Sequence, residues 1–290
     1  MPPASPLRGI ALLVAAVLCF VLLDSTSKSL SQHWPVSLVV WIRYSVHLAL
    51  MTILLAPRHG LRLIATRRPG LQVLRALCLL VTSWFIVAAL ARMPLAETTA
   101  IIFTAPLLVT LLARFMLGEQ VSALRWLAVG IGFAGVLVMV RPDSAALPAA
   151  GIALAFIGAC GFALYQVLTR TLSPTERPLT LLYYTALVGT AGMTVALPWY
   201  WGGPIPNAPQ MLLMLAMGCL GGLGHFLLIR AFSLAPASLL SPILYVQLAW
   251  ATLIGWLLFD QLPDPARLAG ITIIAAAGVL TAVDARRRPT

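Results

Sequence analysis

The chain has 290 residues, 61% hydrophobic and 9% charged, with a formal net charge of +11 and a mean hydropathy of +0.98. Soluble domains carry about 25% charged residues, so this composition excludes an ordinary soluble enzyme, and the positive charge does not signify nucleic acid. A helix crosses about 30 Å of hydrocarbon in roughly 20 apolar residues, and such runs follow one another so closely that no length remains for a soluble catalytic domain.

In chain order, the apolar runs predict ten membrane-spanning helices, at 9–31, 35–56, 71–91, 95–117, 122–140, 149–170, 178–199, 209–231, 236–259 and 266–284. The first could pass for a secretory signal, but its sequence returns in the sixth, so it is read as a span. Gly9-Ile10-Ala11-Leu12 recurs 142 residues later as Gly151-Ile152-Ala153-Leu154. The same offset carries Phe20 onto Phe162, Leu22 onto Leu164, Leu30-Ser31 onto Leu172-Ser173 and Pro94 onto Pro236. The expected fold is therefore an all-α polytopic membrane protein of two five-helix repeats, 1–148 and 149–290.

Placement of charge orients the spans. Arg8, Arg58, Arg62, Arg67, Arg68, Arg75, Arg114, Arg125, Arg170, Arg177, Arg230, Arg286, Arg287 and Arg288 fall at one set of helix ends. Only Lys28, Arg92, Arg141 and Arg267 fall at the other, with Arg43 inside the second span. The positive-inside rule puts the first set, and both termini, in the cytoplasm. Five spans per repeat is an odd number, so the second copy enters from the opposite side, giving an inverted repeat around a central cavity.

Several motifs fail on context. Gly130-Ile131-Gly132-Phe133-Ala134-Gly135 matches a dinucleotide-binding fingerprint, but it lies inside a span with no strand before it, where glycines serve close helix packing. Gly218 and Gly222 have the same packing spacing, so their helix is expected to pack tightly or bend. There is no phosphate-binding GxxxxGK[ST] loop, no HExxH and no GxSxG. The four cysteines, Cys19, Cys78, Cys160 and Cys219, have neither disulfide nor zinc spacing. No enzymatic activity, cofactor or metal site is expected.

Charges at membrane depth cost at least about 2.5 kcal/mol each and require a partner or a wet cavity. Asp24 and Arg43 are expected at similar depth on adjacent helices, with Lys28 one turn from Asp24. A structural ion pair and an outer gate or coupling-ion site both fit. The repeat offset gives Gln166 and Arg170 as the counterparts of Asp24 and Lys28, a second polar pair toward the cytoplasm. Taking the middle of each span places Phe20, Phe162 and Tyr165, Ser83 and Trp84, His225 and Phe226, and Thr104, Tyr245 and Gln247 near the midplane. This mixture of rings with a few polar groups suits a small amphipathic solute better than an inorganic ion. For His225, packing and a substrate or proton role both fit. Pro106 and Pro242 lie inside the fourth and ninth spans, which makes these the expected moving helices.

Met93-Pro94-Leu95-Ala96-Glu97, Leu117-Gly118-Glu119, Gly135-Val136-Leu137 with Arg141-Pro142, Ala235-Pro236-Ala237-Ser238 and Arg43 together resemble the drug/metabolite transporter superfamily, within it the ten-helix EamA-type permeases. The resemblance covers nearly the whole chain, although Asp260-Gln261 stands where the second half often carries Gly-Glu. It implies a secondary transporter in the bacterial inner membrane that exports amino acids, including aromatic ones, or related metabolites. A multidrug or cation exporter of the same superfamily, and a non-transporting membrane scaffold, are the alternatives. The partners expected are a small-molecule substrate and the lipid bilayer; monomer and dimer both remain open.

Overall fold

In hydrocarbon a peptide N–H or C=O has no water to bond, so a chain this apolar must satisfy its backbone within each segment. The computed structural model describes residues 6–116, 122–140, 147–235 and 237–287, and among them every regular element is helical. In order these are α1 (Pro6–Leu30), α2 (Val36–His59), α3 (Pro69–Leu90), α4 (Leu95–Ile102), α5 (Ala105–Met116) and α6 (Ala123–Val140). There follow α7 (Ala149–Leu172), α8 (Pro178–Tyr200), α9 (Ala208–Leu234), α10 (Ala237–Leu240), α11 (Val246–Phe259) and α12 (Pro265–Arg287). Tight 3₁₀ turns cover Gly60–Leu63 and Ser241–Tyr245. The motifs Leu117-Gly118-Glu119 and Arg141-Pro142, with Pro236 and Arg288, lie outside the described residues.

Among the described residues, seven stretches are long and apolar enough to span a bilayer: Leu7–Leu30, Val36–Leu63, Pro69–Leu90, Leu95–Leu112, Ala149–Leu172, Pro178–Tyr200 and Ala208–Phe232. The other three expected spans correspond to shorter apolar helices, Trp126–Val140, Ile243–Phe259 and Pro265–Leu280.

The fourth and ninth segments are interrupted, each near its internal proline. Pro106 has no N–H to give the Ile102 carbonyl, and α4 ends at Ile102, with α5 beginning at Ala105. Thr104 eases the break by bonding its hydroxyl to Ile101 O at 2.6 Å. In the ninth segment Pro242 sits in the 3₁₀ turn, and regular helix resumes at Val246. At the repeat offset Phe103 corresponds to Tyr245, and these two rings meet edge to face across the breaks, 5.1 Å between centroids.

At the same offset α1 corresponds to α7, α2 to α8, α3 to α9, α4–α5 to α10–α11 and α6 to α12. The packing follows this correspondence. α1 packs on α9 as α3 packs on α7; α2 on α9 as α3 on α8; α1 on α11 as α7 on α4 and α5. The pairs α2 with α8, α4 with α11 and α6 with α12 each join an element to its own counterpart.

Glycines permit the closest of these contacts. A Cβ at Gly270 of α12 would lie 2.7 Å from both the Gly135 O and the Met139 N of α6, a backbone contact that no rotamer change relieves. Gly132 likewise abuts Leu107, so two glycines of the dinucleotide-like motif serve packing, while Gly130 meets nothing within 4 Å. On α9, Gly218 faces Val46 and Gly224 faces the Phe20 ring, which brings α1 and α2 against that helix. The start of α9 is fixed by a capping box, with Asn207 and Gln210 each bonding the other's backbone N–H at 3.0 Å.

We predict that Gly270→Leu lowers thermal stability in detergent sharply, because overpacking a rigid contact costs about 1–3 kcal/mol or more. Gly130→Leu on the facing helix should leave the unfolding temperature within about 1 °C of the parent. Equal unfolding temperatures for the two variants would contradict this packing.

Candidate transport site

The close packing of α2 on α9 at Gly218 brings two histidines of the bundle interior together. His47, 5% exposed, stacks nearly parallel on His225 with 6.2 Å between ring centroids. Phe20 meets His225 edge to face at 5.0 Å. The Nε2 atom of His47 is buried and has no protein partner among the described residues.

Arg43 lies one turn before His47 on the same helix and is half-buried, its guanidinium 6.0 Å from the Tyr44 ring centroid. Asp24 on α1 is also half-buried and stays within electrostatic range of Arg43. Of the two readings that fit the sequence, the direct ion pair is not seen: among the described residues no contact within 4.0 Å joins Asp24 to Arg43 or to Lys28. Residue counting along two helices does not fix the facing of their side chains.

Lys28 is engaged elsewhere. Its Nζ donates to Leu90 O at 2.8 Å and Met93 O at 2.6 Å, and lies 5.4 Å from the Phe259 ring centroid. It thus caps the carbonyl end of α3 and ties α1 to α11. Beside it, buried Glu97 of α4 accepts from Arg267 Nη1 of α12 at 3.1 Å, a cross-link between the two halves of the chain that sequence reasoning did not anticipate.

Beneath the histidines lies a residue that charge counting assigned to a cytoplasmic helix end. Arg75 of α3 is only 3% exposed. Its Nε donates to Thr169 Oγ1 at 2.7 Å and its Nη1 to Leu181 O and Thr185 Oγ1 at 2.9 and 3.2 Å. Nη2 donates to Tyr165 OH at 2.8 Å, and the guanidinium also sits over that ring at 4.5 Å. All these acceptors are uncharged, so the guanidinium retains its full formal charge inside the bundle, and Arg43 and Arg75 both act electrostatically on His225.

The other expected residues divide among several environments. Ser83 bonds Tyr44 OH at 2.8 Å beside Arg43, and Trp84 Nε1 donates to Ser37 Oγ at 3.0 Å. Phe162 stacks on Tyr165 at 5.8 Å, Gln166 is half-buried one residue beyond, and Arg170 is exposed near the end of α7. Phe226 is 57% exposed and points out of the bundle rather than into it. Thr104, Tyr245 and Gln247 lie at the helix breaks; Tyr245 packs among Met93, Met139 and Ile274, away from the histidine pair. Counting from span middles gives a position along the helix but no direction about it; adjacent residues differ by about 100° in direction, which is why His225 and Phe226 separate. His47 had a readable signal in its four-residue spacing from Arg43, and Arg75 had none beyond its distance from the helix start.

This geometry places opposite charges, two imidazoles and several rings in a helical bundle with no group of three or more His, Cys, Asp or Glu side chains that could hold a metal ion among the described residues. The sequence profile of the EamA-like transporter family matches twice in succession, over residues 7–141 and 149–283. The chain belongs to the EamA-like transporter family. It is a membrane transporter of the drug/metabolite transporter superfamily.

EamA-like relatives differ in the cargo for which they are named. An S-adenosylmethionine uptake transporter of Rickettsia prowazekii is 29% identical over 76% of this chain and 74% of its own. A riboflavin transporter of Vibrio cholerae is 29% identical over 94% of this chain and 92% of its own. A pseudopaline exporter of Pseudomonas aeruginosa is 28% identical over 93% and 94%, respectively. A protein of known crystal structure shares the fold with a TM-score of 0.69 at 18% identity, covering 99% of this chain and 100% of the other.

Arg75→Met removes one donor group from four acceptors, and bonds to a charged donor contribute about 1.5–3 kcal/mol each. We expect its unfolding temperature to fall by about 5 °C or more, whereas Arg58→Met, at an exposed position, shifts it by less than about 2 °C. A thermal melt followed by tryptophan fluorescence measures both, and equal shifts would refute the structural role of Arg75.

Proposed function

We propose that the protein is a secondary transporter that moves amino acids or related small amphipathic metabolites outward across the bacterial inner membrane by alternating access. The observation that carries the substrate reading is the pair Asp24 and Arg43. They are opposite charges inside one bundle, within electrostatic range and yet not in contact. A zwitterionic head group is complementary to both at once, and the rings of Phe20, His47, His225 and Tyr165 offer surfaces to an organic side chain. Relatives named for S-adenosylmethionine, riboflavin and pseudopaline support an organic metabolite as cargo. Ser83, Trp84, Phe162 and Gln166 complete this proposed lining; Thr104, Tyr245 and Gln247 are assigned to the hinges.

Ten crossings, in two inverted five-helix repeats over 1–148 and 149–290, form the proposed framework. Segments 31–35 and 60–68 flank opposite ends of α2, and residues 173–177 are the repeat counterpart of 31–35. Nevertheless 173–177 touches the 60–68 end, through Arg67 N to Glu176 Oε1 at 3.0 Å, while Trp34 Nε1 bonds Pro204 O at 3.0 Å at the other end. A segment and its copy at opposite ends is the arrangement an inverted repeat requires. The basic 60–68 end is assigned to the cytoplasm, with both termini. Ala65→Cys should therefore label only from the cytoplasmic side and Ile205→Cys only from outside; labelling of both from one side would overturn the topology.

Counterflow in proteoliposomes without ATP tests the transport reading. Saturable exchange of an amino acid is expected, reduced at least tenfold in Asp24→Asn and in Arg43→Gln, about the effect of losing one charge-assisted bond. No exchange of any amino acid would sink the substrate assignment. A drug-cation reading is favoured by one observation, that Asp24 is not locked to Arg43. It predicts that cation efflux survives Arg43→Gln and is lost only in Asp24→Asn.

A further inference from the structure

The basic end of the bundle carries a concavity that the transport reading does not use. Its volume is about 510 Å³, and it lies between the α2–α3 connection and the α7–α8 connection, lined by Arg62, Thr66, Arg67, Thr175, Glu176 and Arg177 with small apolar contacts. The three arginines are exposed, and none makes an ion pair within 4.0 Å among the described residues. Glu176, 7% exposed, uses Oε1 to accept the Arg67 backbone N–H, so one oxygen of the carboxylate holds the two connections together. Tyr184 OH to Ile64 O at 3.0 Å fixes the same junction. Helices α3 and α8 both begin beside the concavity, and neither has a side-chain cap on its first-turn N–H groups. Their positive dipole ends add to the guanidinium charges.

The repeat supplies an internal control. At the 142-residue offset Glu176 corresponds to Trp34, while Arg62, Arg67 and Arg177 correspond to Pro204, Pro209 and Pro35. At that opposite end the Trp34 indole, 4% exposed, occupies the junction and bonds Pro204 O. The fold thus closes this junction with an aromatic ring and needs no arginine there. On the basic end a smaller acidic side chain leaves space, and three guanidinium groups border it.

We propose that this concavity is a binding site for the phosphodiester headgroup of an anionic phospholipid of the adjoining leaflet. Arg62 and Arg177 bind the phosphate oxygens from the two sides and Arg67 supplies the third charge. Thr66 and Thr175 shape the wall, the Thr66 hydroxyl accepting from Arg68 N–H and the Thr175 hydroxyl donating to Leu172 O. A volume of about 510 Å³ is of the size that admits a headgroup and excludes a folded protein segment. The proposal rests on the reading of the chain as membrane-spanning, but not on which face is cytoplasmic or on the cargo.

The test is native mass spectrometry and thermal unfolding of the full chain in nanodiscs of phosphatidylcholine, with or without phosphatidylglycerol in both leaflets. Phosphatidylglycerol is expected to be retained by the protein and to raise its unfolding temperature. Affinity should fall about fivefold for each of Arg62→Gln, Arg67→Gln and Arg177→Gln, the effect of about one charge at a membrane surface. Glu176→Trp, which places the opposite end's ring in this junction, should abolish retention; since it also removes the carboxylate bond to Arg67 N–H, its retention is compared with that of Glu176→Gln, which keeps an acceptor and should retain the lipid. Equal retention of the two lipids, or full retention by the triple arginine variant, would overturn the proposal. Inorganic phosphate binding as tightly as the lipid would overturn the assignment to a lipid. Loss of amino-acid counterflow with lipid retention intact would instead refute the transport reading alone.

Discussion

Hydrocarbon offers a polar group no partner except the protein, and each feature of this molecule answers to that constraint. The backbone meets it by remaining helical, and where proline removes a donor the interruption is placed inside the bundle, at Thr104 and at Ser241–Tyr245. Side-chain charges meet it differently. Lys28 neutralises the open carbonyls of α3, Glu97 finds Arg267, and Arg75 draws on two threonines, a tyrosine and a carbonyl. Other interior groups are met less fully: His47 Nε2, both polar atoms of the Gln72 amide and Glu97 Oε2 have no protein partner among the described residues, and Asp24 and Arg43 make no ion pair within 4.0 Å there.

The same constraint explains how much of the fold was legible. Runs of about 20 apolar residues mark segments that must be helical, so the helical segments follow from composition alone. The repeat offset carried further, since it matched Phe103 with Tyr245, whose rings meet at the two breaks. Sequence counting fails where direction about the helix axis matters. It put Phe226 with His225, could not tell an Asp24–Arg43 ion pair from a gate, and counted Arg75 among the cytoplasmic helix ends although it is 3% exposed. Arginine near a helix end ordinarily snorkels to water, and two threonines, a tyrosine and the Leu181 carbonyl on α7 and α8, nearly 100 residues away in sequence or more, hold this one inside.

Where the two halves agree, they build the scaffold; where they differ, they carry chemistry. Equivalent helix pairs pack alike, through small residues that bring backbones close. Asp24 against Gln166, Arg43 against Thr185 and Ser83 against His225 break the equivalence in the bundle interior, and Glu176 against Trp34 breaks it between the two ends of the bundle. A symmetric charge set would give the two faces equal hold on a cargo. An asymmetric set lets one face bind more tightly than the other, which is the free-energy difference that a change of access needs.

The separation of Asp24 from Arg43 is itself costly, since each uncompensated interior charge carries at least about 2.5 kcal/mol on insertion scales. Direct contact between them would relieve much of that cost, and Lys28 is one turn from Asp24 as a further candidate. Instead Lys28 is drawn to the α3 carbonyls, and Tyr44, fixed by Ser83 and by the close passage of α8 at Gly189, packs beside the Arg43 guanidinium. The neighbours that hold the two charges apart are thus themselves bonded into the scaffold. Two opposite charges that sit within electrostatic range but out of contact leave part of their attraction unused, because desolvation is offset only when a charged pair is closely matched.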